Sequence, residues 1–92
     1  MRYILLGKLD PEWAGRQRER VSAAREKAKE LGIEIQAVYY THGPYDFIAL
    51  ISASDPYVVE AFALWYLKKK FGRIEASPAL DESAMADAVD RI

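Results

Sequence analysis

Ninety-two residues, with 13 Lys and Arg against 14 Asp and Glu, leave room for one domain (1–92) and hold no basic surplus for nucleic acid. The absence of cysteine excludes disulfides, thiolate metal sites and thiol catalysis. No apolar run approaches the ~20 residues that cross a bilayer, and Met1 to Lys8 lacks a signal-peptide pattern, so a cytoplasmic protein without a membrane partner is expected.

Arg2 to Lys8 reads as a strand. Tyr3 and Leu5 occupy one side, Ile4 and Leu6 the other, which is the pattern of a central strand covered on both faces. Asp10-Pro11 is a helix start signal, with regular helix expected from about Arg16. Val21, Ala24, Ala28 and Leu31 then share one narrow apolar stripe, and Gly32 follows as a helix stop. The basic residues of this helix, Arg16, Arg18, Arg20, Arg25, Lys27 and Lys29, are expected in solvent.

Ile33 to His42 and Tyr45 to Ala53 read as two strands joined at Gly43-Pro44, an antiparallel hairpin. Ser54-Asp55-Pro56 opens a second helix running to about Phe71, closed by Gly72. It is apolar nearly all round between Tyr57 and Leu67, which predicts a second contact surface besides its sheet face. Arg73 to Leu80 reads as a fourth strand, and Pro78 marks it as an edge strand or marks its end. Asp81 is placed to cap a last helix whose apolar side carries Met85, Ala88, Val89 and Ile92.

The order β-α-β-β-α-β plus a C-terminal helix predicts an α+β, ferredoxin-like fold: a four-stranded antiparallel sheet with two helices on one face. Strict alternation around the Gly43-Pro44 tip pairs Tyr40 with Phe47 and Val38 with Ala49. It gathers Glu34, Gln36, Val38, Tyr40, His42, Tyr45, Phe47, Ala49 and Ile51 on one face and Ile33, Ile35, Ala37, Tyr39, Ile48 and Leu50 on the other. The first set is expected to be the uncovered face, left for a partner subunit or a ligand.

The hairpin and the first strand supply the candidate site residues. Tyr3, Tyr40, His42 and Tyr45 are the ligand-binding candidates: three aromatic rings for stacking and an imidazole for proton transfer. Gly43, Pro44 and Asp46 are assigned to the turn itself, with Asp46 bonding nearby backbone. No metal site is expected, because His42 and Asp46 supply too few ligands and point apart. Ser52 and Ser54 lie too far along the strand for a triad. Trp65 and Tyr66 are expected to pack in the core.

The stretch Tyr39-Tyr40-Thr41 followed by Gly43-Pro44-Tyr45-Asp46-Phe47 resembles the signature of the GYD domain family, with Gly43, Tyr45 and Asp46 as the motif residues. The opening Tyr3 to Lys8 and the late Gly72-Arg73-Ile74-Glu75 are similar to the same family, so the likeness spans about Tyr3 to Leu80. The resemblance implies a fold of the dimeric α/β barrel type, with a homodimer or higher homo-oligomer formed through the open sheet face. It implies no cofactor and assigns no reaction. Three functions remain open: a binding or sensing module for a small apolar or aromatic molecule, a cofactor-independent monooxygenase or isomerase, or a structural interaction protein.

Overall fold

The computed structural model describes Met1–Ile92. Four strands, β1 (Arg2–Leu9), β2 (Glu34–Tyr40), β3 (Phe47–Ser52) and β4 (Gly72–Pro78), form one sheet in the order β2-β3-β1-β4. Every neighbouring pair is antiparallel. Helix α1 (Gln17–Glu30) connects β1 to β2, α2 (Pro56–Lys68) connects β3 to β4, and α3 (Glu82–Val89) follows β4. This is the expected ferredoxin-like α+β arrangement. No helix is long and apolar enough to cross a membrane.

Local chemistry explains where the elements start and stop. Asp10 accepts a hydrogen bond from the Glu12 amide and opens a 3-10 turn, Pro11–Trp13, before α1. The Asp55 carboxylate caps α2 through the Tyr57 and Val58 amides at 2.8 and 3.1 Å. Asp81 caps α3 through the Ala84 amide at 2.8 Å. Helix α2 stops at Lys68, short of the expected Phe71, because Lys70 turns left-handed at φ 60°. That turn swings Phe71 into the core, where it meets Trp13 edge-on at 4.5 Å between ring centroids. Gly72 follows at φ 152°, and a Cβ there would strike the Lys8 backbone carbonyl. Pro78 is the last residue of β4, which lies at the sheet edge as its proline requires.

The core is the sandwich between the sheet and α1 and α2. Tyr3, Leu5, Phe47, Ala49 and Ile51 from the sheet pack with Ala28 of α1 and with Val59, Phe62 and Tyr66 of α2. Gly7 lets the Phe47 ring lie across β1, since a Cβ at that position would occupy the ring's place.

The hairpin pairs Tyr40 with Phe47 and Val38 with Ala49, as alternation predicts. Ile33 and Ile35 lie on the helix side as expected, but on β3 and at the Val38–Tyr40 end of β2 the faces are the reverse of the expectation. Phe47, Ala49 and Ile51 are buried beneath the helices, and Val38 and Tyr40 lie on the same side. Tyr39 and Leu50 are exposed on the open side at 62 and 37 %. Within β2 the change of parity comes from a β-bulge between Ile35 and Ala37. It leaves Gln36 without a partner residue, so Ile35 and Val38 both point toward the helices, two positions that strict alternation would separate. On β3 the two sets are about equally apolar, and alternation alone does not decide between them.

Candidate functional site

Helix α1 approaches the sheet with small residues. Val21, Ala24 and Ala28 form its inward stripe, and stubby side chains cannot fill the space above β2 and β3. The result is a cavity of about 280 Å³ between α1 and the sheet. Its walls are mostly apolar, with Val38, Phe47, Ala49 and Ile51 below and Phe62 at the side. The half-exposed Tyr40 stands at its rim.

One charged group is buried in this apolar setting. Arg20 is only 4 % exposed, against the expectation that the basic residues of α1 are all solvated. It precedes Ala24 and Ala28 at intervals of one helical turn, so it shares their inward stripe. Its Nη1 donates to the Tyr66 hydroxyl at 3.0 Å, and its Nη2 reaches the Tyr40 hydroxyl at 3.5 Å. The guanidinium carbon lies 5.9 Å from the Tyr40 ring centroid, a cation–π distance. Its Nε–H is buried with no hydrogen-bond partner.

The electrostatics follow from this geometry. Burial works against the Arg20 charge, but hydrogen bonds and attraction from Tyr40 and Tyr66 more than offset it, so the proton is held above its ordinary value. Burial pushes the Tyr66 phenol up, and its attraction and hydrogen bond to Arg20 counter that only in part. Tyr66 is 1 % exposed and packs against Phe47 with ring centroids 6.1 Å apart. No Asp or Glu lines the cavity.

The four candidates from the sequence are not brought together. Tyr40 lines the cavity, but on the helix side of the sheet rather than on the uncovered side. Tyr3 is 4 % exposed within the core, not on an open face, and its hydroxyl has no partner. Tyr45 donates to Glu75 on β4 at 2.6 Å; that hydrogen bond first, then repulsion from the carboxylate, holds its phenol above the ordinary value. His42 is exposed in the hairpin and lines no part of the cavity. Two residues that sequence reasoning set aside, Arg20 and Tyr66, hold the polar centre instead. The spacing Arg20-Ala24-Ala28 was the signal that could have found the first.

The motif residues of the hairpin fasten the sheet. The Asp46 carboxylate accepts from the Leu9 amide at 2.7 Å, and the Asp46 amide donates to the Gly7 carbonyl at 2.8 Å. The Thr41 hydroxyl donates to the Tyr45 carbonyl at 2.8 Å, and Gly43 takes φ 139°. Asp46 therefore ties the hairpin to the end of β1, a longer reach than the local turn bond expected of it. No three acidic or histidine side chains gather closely enough to hold a metal ion.

Comparison with known proteins gives two positive findings. A family model described as the GYD domain matches residues 3–89. Among solved structures, the chain is similar to 5-chloro-2-hydroxyhydroquinone dehydrochlorinase (TftG) from Burkholderia phenoliruptrix AC1100, in complex with 2,5-dihydroxybenzoquinone. The TM-score is 0.64 at 14 % identity, over 90 % of this chain and 97 % of that one, which establishes a shared fold. No curated protein sequence matches the chain.

Proposed function

This chain belongs to the GYD domain family, and on that premise we propose that it is a homo-oligomeric domain that binds a small, largely apolar molecule between α1 and the sheet. The cavity beside Arg20 carries this reading. At about 280 Å³ it lies near the lower bound for small-molecule sites, a volume suited to a molecule of one or two rings. It combines apolar walls with a few convergent polar groups, the usual composition of such sites. The similar dehydrochlorinase is described in complex with a one-ring quinone, a ligand of compatible size.

Self-association is supported by unpartnered apolar surface. Leu50 and Tyr39 stand exposed on the open sheet face, beside the partly covered Ile4, Leu6 and Ile48. Helix α2 exposes Tyr57, Leu64 and Leu67, and α3 buries no residue although Met85 and Val89 are apolar. The Cα radius of gyration is 14.2 Å, against about 12 Å for a compact chain of this length. A second copy seated on the open sheet face would cover part of this surface.

A second reading, a cofactor-independent enzyme, draws on one observation: a buried phenol, Tyr66, held beside a guanidinium on the wall of the cavity. In that reading Tyr66 and Tyr40 handle protons in place of His42, which stands outside the cavity. Turnover of a substrate would then be lost in Tyr66→Phe while folding is kept.

The binding reading is tested with an uncharged two-ring probe, 2-naphthamide, by isothermal titration calorimetry. The folded protein is expected to bind it, and Ala24→Trp, which fills the cavity from α1, is expected to abolish binding. Binding that survives Ala24→Trp in a folded variant places the ligand elsewhere and overturns the assignment.

A further inference from the structure

Arg20 is the only charged side chain buried in the protein. Taking a guanidinium out of water is expensive unless a counter-charge or a full set of acceptors replaces the hydration shell. Arginine cannot escape that cost by losing its proton. Yet Arg20 has no carboxylate partner. The ion pairs of α1 are Arg16–Glu19 and Lys27–Glu30, both on its solvated side, and no acidic residue lines the cavity. The second cation on the lining, Arg25, adds positive potential at the surface end.

What Arg20 does have is two neutral phenols, and these accept from it, leaving their own O–H protons free to donate. The Nε–H has no partner at all. A buried donor without an acceptor calls for a bound water, an ion or a ligand. Here the vacant donor, the unneutralised charge and the two free hydroxyls belong to one cluster. An oxygen-bearing anion beside the guanidinium would answer the charge and the donors nearest to it. Gln17 and Arg25 are the other polar lining residues, and the apolar remainder of the cavity suits the hydrocarbon part of an organic anion.

We propose that the cavity is selective for organic anions, compounds with a carboxylate or an ionised ring hydroxyl on an apolar body the size of one or two rings, and that Arg20 is their counter-charge. The Arg20 guanidinium faces the anionic oxygen as its counter-charge, and its Nε–H is the donor left without a partner inside the protein. The Tyr66 and Tyr40 hydroxyls donate to the same group, and the body lies against Phe47, Val38 and Ala24. This inference rests on the small-molecule reading and adds the charge of the ligand to it.

The test compares 2-naphthoate with 2-naphthamide, which share a shape and differ in charge, by calorimetry on the full chain near neutral pH. The wild type is expected to hold 2-naphthoate about tenfold or more tightly than 2-naphthamide, the range of a hydrogen bond made to a charged group. Arg20→Met is expected to lose that preference while still binding 2-naphthamide, and Arg20→Lys to keep part of it. Circular dichroism confirms the fold of each variant. Equal affinity for the two probes in the wild type overturns the proposal and leaves the small-molecule reading standing. A preference that persists in folded Arg20→Met also overturns it. Failure of both probes to bind at millimolar concentration overturns the proposal and the small-molecule reading together. The wild-type ratio is decisive even if Arg20→Met does not fold, and Arg20→Lys then serves as the second variant.

Discussion

Arg20 Nη1 lies 3.0 Å from the Tyr66 hydroxyl, joining α1 to α2 across the floor of the core by a hydrogen bond between side chains 46 residues apart. Both groups are almost fully buried, so the bond is not exchanged for one to water at low cost. Tyr66→Phe should remove the acceptor and leave a buried Nη1–H exposed to an apolar wall. The expected loss is about 1–3 kcal/mol of stability, read from urea denaturation, with a smaller loss for Tyr40→Phe because that contact is longer and at the rim.

The same pair predicts a response to alkali. Burial raises the Tyr66 phenol above its ordinary value, so the folded state resists ionisation more than the unfolded chain does. The stability tied to neutral Tyr66 is then complete below the unfolded value, near pH ~10. It is lost as pH rises through the higher folded value. Urea midpoints should fall progressively between those two values, and the Tyr66 ring carbons should titrate above the ordinary tyrosine value in carbon-13 spectra. Because Arg20 attraction partly counters the burial, Arg20→Met should move Tyr66 further up. A downward shift in that variant would contradict the assigned contact.

Asp46 predicts a hairpin effect. Its carboxylate receives the Leu9 amide at 2.7 Å in a partly buried setting. Asp46→Ala should cost about 1.5–3 kcal/mol, the range for hydrogen bonds to charged groups. Asp46→Asn, which keeps one carbonyl oxygen as acceptor, should cost less. Tyr45→Phe breaks only an exposed bond to Glu75 and should barely move the urea midpoint.

The glycines separate by environment. Gly72→Ala meets backbone at φ 152°, where neither the dihedral nor the neighbour can adjust cheaply. Gly7→Ala meets the Phe47 ring, which is packed but can turn, so a cost of about 1–3 kcal/mol is expected. Gly15 has open space around it, and Gly15→Ala should be near neutral. The expected order of denaturation midpoints is therefore Gly15→Ala above Gly7→Ala above Gly72→Ala.

The open sheet face offers a test of assembly. Leu50→Lys places a charge at its exposed centre without touching the helix side. Sedimentation should then show a smaller species than the wild type, with circular dichroism unchanged. A wild-type monomer at micromolar concentration would remove the homo-oligomer from the proposed function.

Much of the architecture was legible in the chain because local signals specify it. Asp10, Asp55 and Asp81 each precede a helix or turn and bond its first free amides, and Pro78 could only end an edge strand. The pairing of Tyr40 with Phe47 followed from a tight turn and period-two geometry. The GYD motif residues located the hairpin, though not the reach of Asp46 to β1.

The side of the sheet that the helices cover was decided only in three dimensions. Phe47, Ala49 and Ile51 compete with Ile48 and Leu50, sets of similar hydrophobicity, and the first is chosen because Gly7 clears a place for the Phe47 ring. The bulge at Gln36 then brings Ile35 and Val38 to the same side, a change of parity that no alternating pattern records. Arg20 depends on both. An arginine within a basic helix reads as solvated, and it becomes a buried cation only because Tyr40, Tyr66 and the small residues of α1 converge around it from three separate elements. The order of elements and the hairpin pairing were thus properties of the amino-acid sequence, set by local caps and turn chemistry. The polar centre of the candidate site arises from packing, since its charge has meaning only beside partners distant in the chain.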